Sequence, residues 1–513
     1  MRSISFIAAA LLALQACSLE AEPPTSTLIL GAEIYDGTGT DAIDAAVRID
    51  GDRIIDVGNL APLRGETVID AAGLVLVPGF IDSHSHHDSG IAEFRDVPGA
   101  LSQGVTTIVR GHDGFSDVDN EIAYVPQAEF NLAFTANPAA INVASYSPHN
   151  SIRHQVMGSD YRRNATTEEI ASMSKLIEAD MRAGAIGLST GLEYEPGIFS
   201  STEEVIRLAR VAADLRGTYS SHIRDEDDQV KMAIDEVIRI GREANIPVIV
   251  SHIKLADREF WGTTDEVLAK LDNARAQGID IRTDLYPYER WASNLAILFP
   301  DRNYSNRAAA EFTFEHTARP DDIVLVHYPP NPEFEGLNIE EIADFSGRDP
   351  ESTLMTLAQD AEDYRRETGK TGARIVARGM NETDVVAFAK WPLTSFCSDG
   401  GPTISHPRSY GAFPRVIRRF VKELEILTLQ EAIYKMTGLP ADTLQLSDRG
   451  RIKPGMYADI VLFDLVEISD HATMEDPTAR STGIKTVWVN GVVAFSDGEP
   501  TRRYPGRLVS LAD

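Results

Sequence analysis

Residues 80–90 read FIDSHSHHDSG. A short apolar start, Phe80-Ile81, runs into polar residues, the pattern of a buried strand that surfaces at its C-terminal end. Three of the chain's 12 histidines, His84, His86 and His87, fall within four positions, flanked by Asp82 and Asp88. Side chains of an extended segment alternate, so His84 and His86 share a side and can chelate one ion. By the same alternation His87 faces away or has entered the loop. Asp82 shares the parity of the pair one step deeper, where it can orient a histidine as a hydrogen-bond acceptor.

Segments of this kind recur downstream: GVTTIVRG (104–111), INVASYS (141–147), AIGLSTGL (185–192), GTYSSHI (217–223), IPVIVSHI (246–253), GIDIRTDLY (278–286) and LTSFCSDG (393–400). Amphipathic stretches separate them, among them TTEEIASMSKLIEADMRAG and STEEVIRLARVAADLRG, with Thr167 and Thr202 at the expected N-caps. Eight strand–helix units in series predict an α/β fold, a (β/α)8 TIM-type barrel over residues 79–452, with an insertion at about 290–370 between the last two strands. Residues 25–78 and 453–513 instead read as short antiparallel strands joined by turns, including VNG at 489–491. They predict one small β-sandwich domain formed by both termini.

Active sites of such barrels lie at the C-terminal ends of the strands. There the sequence places His84 and His86 (strand one), Glu193 (four), His222 (five), His252 (six) and Asp399 (eight). A lone HxH, or a lone His222 or His252, is as well read as an ordinary buried or surface histidine. Five strand ends converging on metal-ligand residue types instead predict a metal site, with neutral imidazole and carboxylate suiting zinc. Arg224 and Glu226 can orient His222 or form an ion pair at the rim. His149 can line the site or sit in a loop. His112 reads as a solvent-exposed loop residue, His406 as support for its own loop, and Cys397 as a packed residue without a partner base.

The chain has 513 residues, 43% hydrophobic and 25% charged, and a formal charge of −30. That charge repels phosphate backbones and argues against a nucleic-acid partner. The N-terminus, MRSISFIAAALLALQACS, carries Arg2, an apolar run from Ile4 to Leu14 and small residues, a secretory signal too short to span a bilayer. Leu14-Gln15-Ala16-Cys17 resembles a bacterial lipobox. The expectation is a lipoprotein-type signal over 1–17, export to the periplasm or cell envelope, and membrane attachment through a lipidated Cys17. Cys397 is the one other cysteine, so no disulfide supports the exported domain.

PGFIDSHSHHD resembles the opening strand of the amidohydrolase superfamily. GAIGLSTGLEYEPG, SSHIRDED, VSHIKLAD, DLYPYER, SDGGPTISHPRSYGAFPRV and EAIYKMTGLPADTLQLSDRGRIKPGMYADIVLFD narrow the resemblance to its N-acyl-D-amino-acid deacylase (D-aminoacylase) family, over most of residues 27–505. The resemblance implies a metal-dependent hydrolase barrel holding one or two divalent ions, zinc foremost, and a small-molecule N-acyl-D-amino acid substrate. It implies His84 and His86 on one metal, His222 and His252 on the other, and Asp399 as ligand and general base. Lys254 would reach substrate or a bound water, Tyr286 the scissile carbonyl, and Arg408 the substrate carboxylate. One departure stands out. Many family members carry GNCG after the second strand, where this chain has RGHDG with Asp113 at the cysteine position. Glu193 is therefore expected as the metal bridge, with Asp113 as a weak ligand, an orienting partner or a turn residue. The rival readings are another amide hydrolase on the same scaffold (cyclic amidase or dipeptidase), a deaminase, or an inactive lipid-anchored binding protein.

Overall fold

The computed structural model describes residues 26–88, 90–117 and 123–511. The expected signal and lipobox at 1–17 lie outside the described residues. Eight strands build the central sheet: β1 (Phe80–Asp82), β2 (Val105–Arg110), β3 (Asn142–Ser145), β4 (Gly187–Gly191), β5 (Thr218–His222), β6 (Val248–Val250), β7 (Ile281–Leu285) and β8 (Thr394–Phe396). Each lies within one of the eight segments predicted from sequence. Parallel ladders join β1 to β2 and β2 to β3, and run without a break from β4 to β8. Ile186 N donates to Ser145 O at 2.8 Å between β3 and β4. Asp399 N donates to His84 O at 2.8 Å and His86 N to Gly400 O at 2.7 Å, which ties the chain after β8 to the chain after β1. This last pair of bonds brings the first and last strand ends together, and with them their ligand residues.

Helices Thr167–Arg182 and Thr202–Asp214 follow β3 and β4. Their caps fall one residue before the expected ones. Thr166 forms a capping box with Glu169, and the Ser201 side chain accepts from Glu204 N. Both starts offer two adjacent hydroxyl residues, and the cap is the one with glutamate three positions on. The second helix turns Val205, Leu208, Ala209 and Ala212 into the core at 3.6-residue spacing.

Both termini contribute strands to one seven-stranded sheet, in which Ile460–Phe463 pairs antiparallel with Val75–Pro78. A four-stranded sheet, Thr27–Leu30, Ala46–Asp50, Arg53–Gly58 and Thr67–Asp70, faces it across Ile29, Val47, Ile54, Leu76, Ile460 and Trp488. Not every ladder is antiparallel as expected: Thr27–Leu30 runs parallel to Thr67–Asp70, and Glu33–Ile34 parallel to Val75–Pro78. A hairpin lies between the members of each pair, so the chain returns in its original direction. The VNG turn has positive φ at Asn490 (48°) and Gly491 (76°), and a Cβ on Gly491 would meet Gly51 O.

The insertion after β7 runs further than expected. Its three antiparallel strands are Arg290–Asn294, Val324–His327 and Arg374–Arg378, with Pro350–Thr368 the longest helix between them. Arg374–Arg378, an apolar strand by composition, pairs within the insertion instead of joining the barrel.

Candidate metal centre and active site

Five of the six residues predicted at the strand ends meet, with Asp113, in one buried cluster. His84 and His86 follow β1, Asp113 follows β2, His222 ends β5, His252 follows β6 and Asp399 follows β8. Three of them take a left-handed backbone: Asp113 (φ 53°), His252 (φ 34°) and Asp399 (φ 48°). For a non-glycine residue that geometry costs about 1–3 kcal/mol and persists where the surroundings enforce it. Here they do. His252 N donates to Asp284 Oδ1 at 2.6 Å, Asp399 N is held by His84 O, and Gly114 N donates to Ser189 Oγ at 3.2 Å beside Asp113.

Asp113 stands between the two histidine pairs. Its Oδ1 is 3.5 Å from His84 Nε2 and 3.7 Å from His252 Nε2, and its Oδ2 is 3.4 Å from His86 Nε2. Asp399 Oδ1 is 3.0 Å from His86 Nε2 and 3.6 Å from His84 Nε2. His222 Nδ1 and His252 Nε2 face each other at 3.0 Å. Two sets of donors result, His84/His86/Asp113/Asp399 and Asp113/His222/His252, each able to converge on one ion and sharing Asp113. The carboxylate common to both sets is Asp113, where Glu193 was expected. Glu193 reaches His222 Nε2 at 2.7 Å and groups with His222 and Glu226, away from His84 and His86. It sits two residues beyond the end of β4, on the outer side of His222, whereas the left-handed turn at Asp113 aims that carboxylate into the centre.

The donor chemistry fits divalent cations. Both ring nitrogens of His84, Nδ1 of His86 and Oδ1 of Asp113 are buried without a hydrogen-bond partner, a state that is costly unless another ligand satisfies it. Burial alone pushes the His84 imidazole down, but Asp113 and Asp284 outweigh it and hold it up at about 10. His86 is likewise raised, against burial, by Asp113, Asp399 and Asp88. The pocket thus stabilises positive charge among nitrogen and oxygen donors, with no sulfur in the set.

Carboxylates behind the histidines were largely missed from sequence. Asp284 Oδ1 lies 3.6 Å from His84 Nδ1, and Asp88 Oδ2 lies 3.7 Å from His86 Nδ1. Glu226, left open between two roles, is buried and sits 3.1 Å from His252 Nδ1. The Asp82 carboxylate, which could orient a histidine, accepts from Ser398 N and Oγ and from the His84 backbone, and so ties β1 to the β8 loop. His112 is buried rather than exposed, its ring stacked on His84 at 4.0 Å between centroids. His87 is outside the donor groups but also buried, and burial pushes its imidazole down to about 4. His149 lies away from the centre, against Glu204 at 3.1 Å beside Arg153. His406 Nδ1 accepts from Arg408 N, as its assignment to that loop implied. Cys397 is buried, its thiol pushed up by burial and by Asp284, which suits packing and not attack.

Lys254, Tyr286 and Arg408 line the same cleft of about 1080 Å³ as the donor groups. Arg408 Cζ lies 4.7 Å from the Tyr286 ring centroid and Lys254 Nζ 6.0 Å from it. Tyr286 Oη is buried with no hydrogen-bond partner, and burial raises the phenol to about 12, so it is a neutral donor. Lys254 is less free than expected: Nζ is 2.6 Å from each Glu226 oxygen and 2.9 Å from His252 Nδ1. Arg408 Nη1 is 2.7 Å from Asp399 Oδ2, and its Nε has no hydrogen-bond partner.

Residues 67–320 and 335–495 match the amidohydrolase family. The chain is 34% identical to a D-aminoacylase of Alcaligenes xylosoxydans xylosoxydans, over 95% of this chain and 98% of that one. It is also 34% identical to an N-acyl-D-glutamate deacylase of the same organism, over 94% and 96%. A solved N-acyl-D-glutamate deacylase of Bordetella bronchiseptica, complexed with zinc and a phosphonate mimic of the tetrahedral intermediate, superposes with a TM-score of 0.83 at 33% identity, over 94% and 99% of the two chains.

Proposed function

The chain belongs to the amidohydrolase family, among its D-aminoacylases, and we propose that it hydrolyses the amide bond of N-acyl-D-amino acids to a carboxylate and a free D-amino acid. The observation that carries this is the position of Asp399. One of its oxygens belongs to the candidate metal centre, and the other faces an arginine in the substrate cleft.

His84, His86, Asp113 and Asp399 would hold one cation, and Asp113, His222 and His252 a second; zinc is the ion named with the Bordetella relative. Such a cation, when bound, supplies Lewis acidity and lowers the pKa of water from about 15.7 towards about 7. Asp399 is kept ionised because Arg408 and His86 outweigh its burial, so it can accept the proton of the attacking water. The same carboxyl then donates that proton to the leaving nitrogen. Tyr286 Oη, neutral and without a partner, donates to the oxyanion developing on the scissile carbonyl. Arg408 receives the α-carboxylate through its planar donors and so sets the amide beside Asp399. Lys254, fixed by Glu226, adds a positive charge to that anchor and holds His252 in orientation.

Arg2, the apolar run to Leu14 and the lipobox-like Leu14–Cys17 support export and lipid attachment at Cys17 as part of the same proposal. No helix of the described residues is long and apolar enough to cross a membrane. Asp399→Asn tests the catalytic assignment. Turnover should fall about 100- to 10,000-fold, and full turnover would remove Asp399 from its role.

A further inference from the structure

Large apolar side chains exposed among the described residues are unevenly placed. Ile43, Ile55, Leu63 and Val68 fall between residues 43 and 68 of the small β domain, and the rest are scattered singly from residue 94 to residue 466. Single exposed apolar residues are ordinary, whereas a group on one face is not. Val68 pairs with Leu28, Leu28 with Arg48, and Arg48 with Asp56. These positions lie on the face of the four-stranded sheet turned away from Ile29, Val47 and Ile54, which enter the core. Val68 is 45% exposed there, and Ile55, beside Asp56, 47%. The loop 59–66 is fastened over the same face. Ala61 O accepts from Arg48 Nη2 at 2.8 Å, and Leu63 N donates to Glu66 Oε2 at 2.9 Å. Leu63 is left 50% exposed, with Arg64 exposed next to it.

The chain enters the fold at this same place. Ser26, the first described residue, donates from Oγ to Glu66 Oε1 at 2.8 Å, and its carbonyl accepts from Thr67 N at 3.1 Å. Eight residues, 18–25, separate it from Cys17. A chain of that length reaches at most about 30 Å. A compact fold of 513 residues is about 60 Å across. A lipid group on Cys17 therefore lets only the end of the molecule around Ser26 rest on the bilayer. The tether also raises the effective concentration of that end at the surface to about the millimolar range, where a contact too weak to hold alone is occupied. The formal charge of −30 opposes close approach of most of the surface to anionic lipid. Here the acids are committed. Glu66 and Asp56 face Arg48, and Asp70 accepts from Ala72 N at 3.1 Å. Arg64 adds a cation beside the apolar side chains, a pairing suited to the boundary between headgroup phosphates and acyl chains.

We propose that this outer sheet face, through Ile55, Leu63, Arg64 and Val68, docks on the phospholipid surface to which Cys17 is attached, and so fixes which end of the enzyme faces the membrane. This inference rests on the lipid-attachment reading of Cys17 and is independent of the deacylase activity.

The test uses the full chain, purified in its mature form from bacterial membranes and reconstituted in vesicles of phosphatidylethanolamine and phosphatidylglycerol that carry brominated acyl chains. Leu63→Trp puts a fluorophore on the face, and Met232→Trp puts one on the exposed side of helix Val230–Ala244. The emission that Leu63→Trp adds over wild type should shift to the blue and be quenched, and that of Met232→Trp should do neither. Equal quenching in the two variants, or none in Leu63→Trp chains that float with the vesicles, would overturn the inference. A blue shift without quenching would assign the face to a protein contact, such as a second copy of this chain, and would overturn it too. Mass spectrometry of Cys17 in the same samples separates the failures. An unacylated Cys17 removes the attachment reading and this inference with it, whereas an acylated Cys17 without quenching at residue 63 removes the inference alone.

Discussion

Arg408 Nη1 lies 2.7 Å from Asp399 Oδ2, while Asp399 Oδ1 lies 3.0 Å from His86 Nε2. The proposed base is thus clamped between the substrate anchor and the metal centre. On the proposed reading, an arriving α-carboxylate would compete with Asp399 for the same guanidinium, which would couple binding to the readiness of the base.

Arg408→Ala should therefore lower kcat/KM by about 10- to 100-fold through lost carboxylate recognition. It should also move the acidic limb of the pH–rate profile upward. Arg408 holds the Asp399 carboxyl well below its usual range, so its removal raises that carboxyl and the base is protonated at a higher pH. Steady-state kinetics from pH 4 to 9 read both effects, and an unmoved limb would separate Arg408 from Asp399.

Asp113→Ala should lower the bound metal per chain, measured by elemental analysis after equilibrium dialysis, because both donor sets lose a shared oxygen. Glu193→Ala should leave that content near the wild-type value. The reverse outcome would restore Glu193 as the bridge.

Tyr286→Phe removes one buried hydroxyl and little volume. If that hydroxyl stabilises the oxyanion, kcat should fall about 100- to 1000-fold with KM nearly constant. A change confined to KM would make Tyr286 a binding residue.

Far from the site, Glu66 accepts from Arg48 Nε at 2.7 Å, from Ser26 Oγ at 2.8 Å and from Leu63 N at 2.9 Å. Arg48 in particular holds its carboxyl down at about 2, from an ordinary value of 4.5. A depressed carboxyl contributes stability that is full above the unfolded value and is lost as pH falls through the folded one. Glu66→Gln should therefore lower Tm at pH 7, and its deficit should shrink between about pH 4.5 and 2. A constant deficit across that range would assign the effect to packing.

What could be read from the sequence follows from what local pattern encodes. The barrel strands were legible because apolar runs bounded by glycine and proline end in polar residues, and alternation alone pairs His84 with His86. The bridge was not. Asp113 owes its position to a left-handed turn between Gly111 and Gly114, and strand parity says nothing about such a turn. His112 was misplaced for the same reason: the loop after β2 folds inward, and the histidine stacks on His84 instead of reaching solvent. Asp284 was overlooked beside the more conspicuous Tyr286, although its strand end faces His84. Glu226 and Lys254 lie 28 residues apart in sequence, and their ion pair is set by the packing of the β5 and β6 loops.

The central claim is metal-dependent, D-selective amide hydrolysis. Its most direct measurement is release of free amine from N-acetyl-D-leucine and N-acetyl-L-leucine by the purified chain after chelation and again after zinc is restored. The account predicts turnover of the D substrate that disappears on chelation and returns with zinc, with the L substrate hydrolysed far more slowly. Equal rates on both enantiomers, or D turnover that survives complete removal of metal, would contradict it.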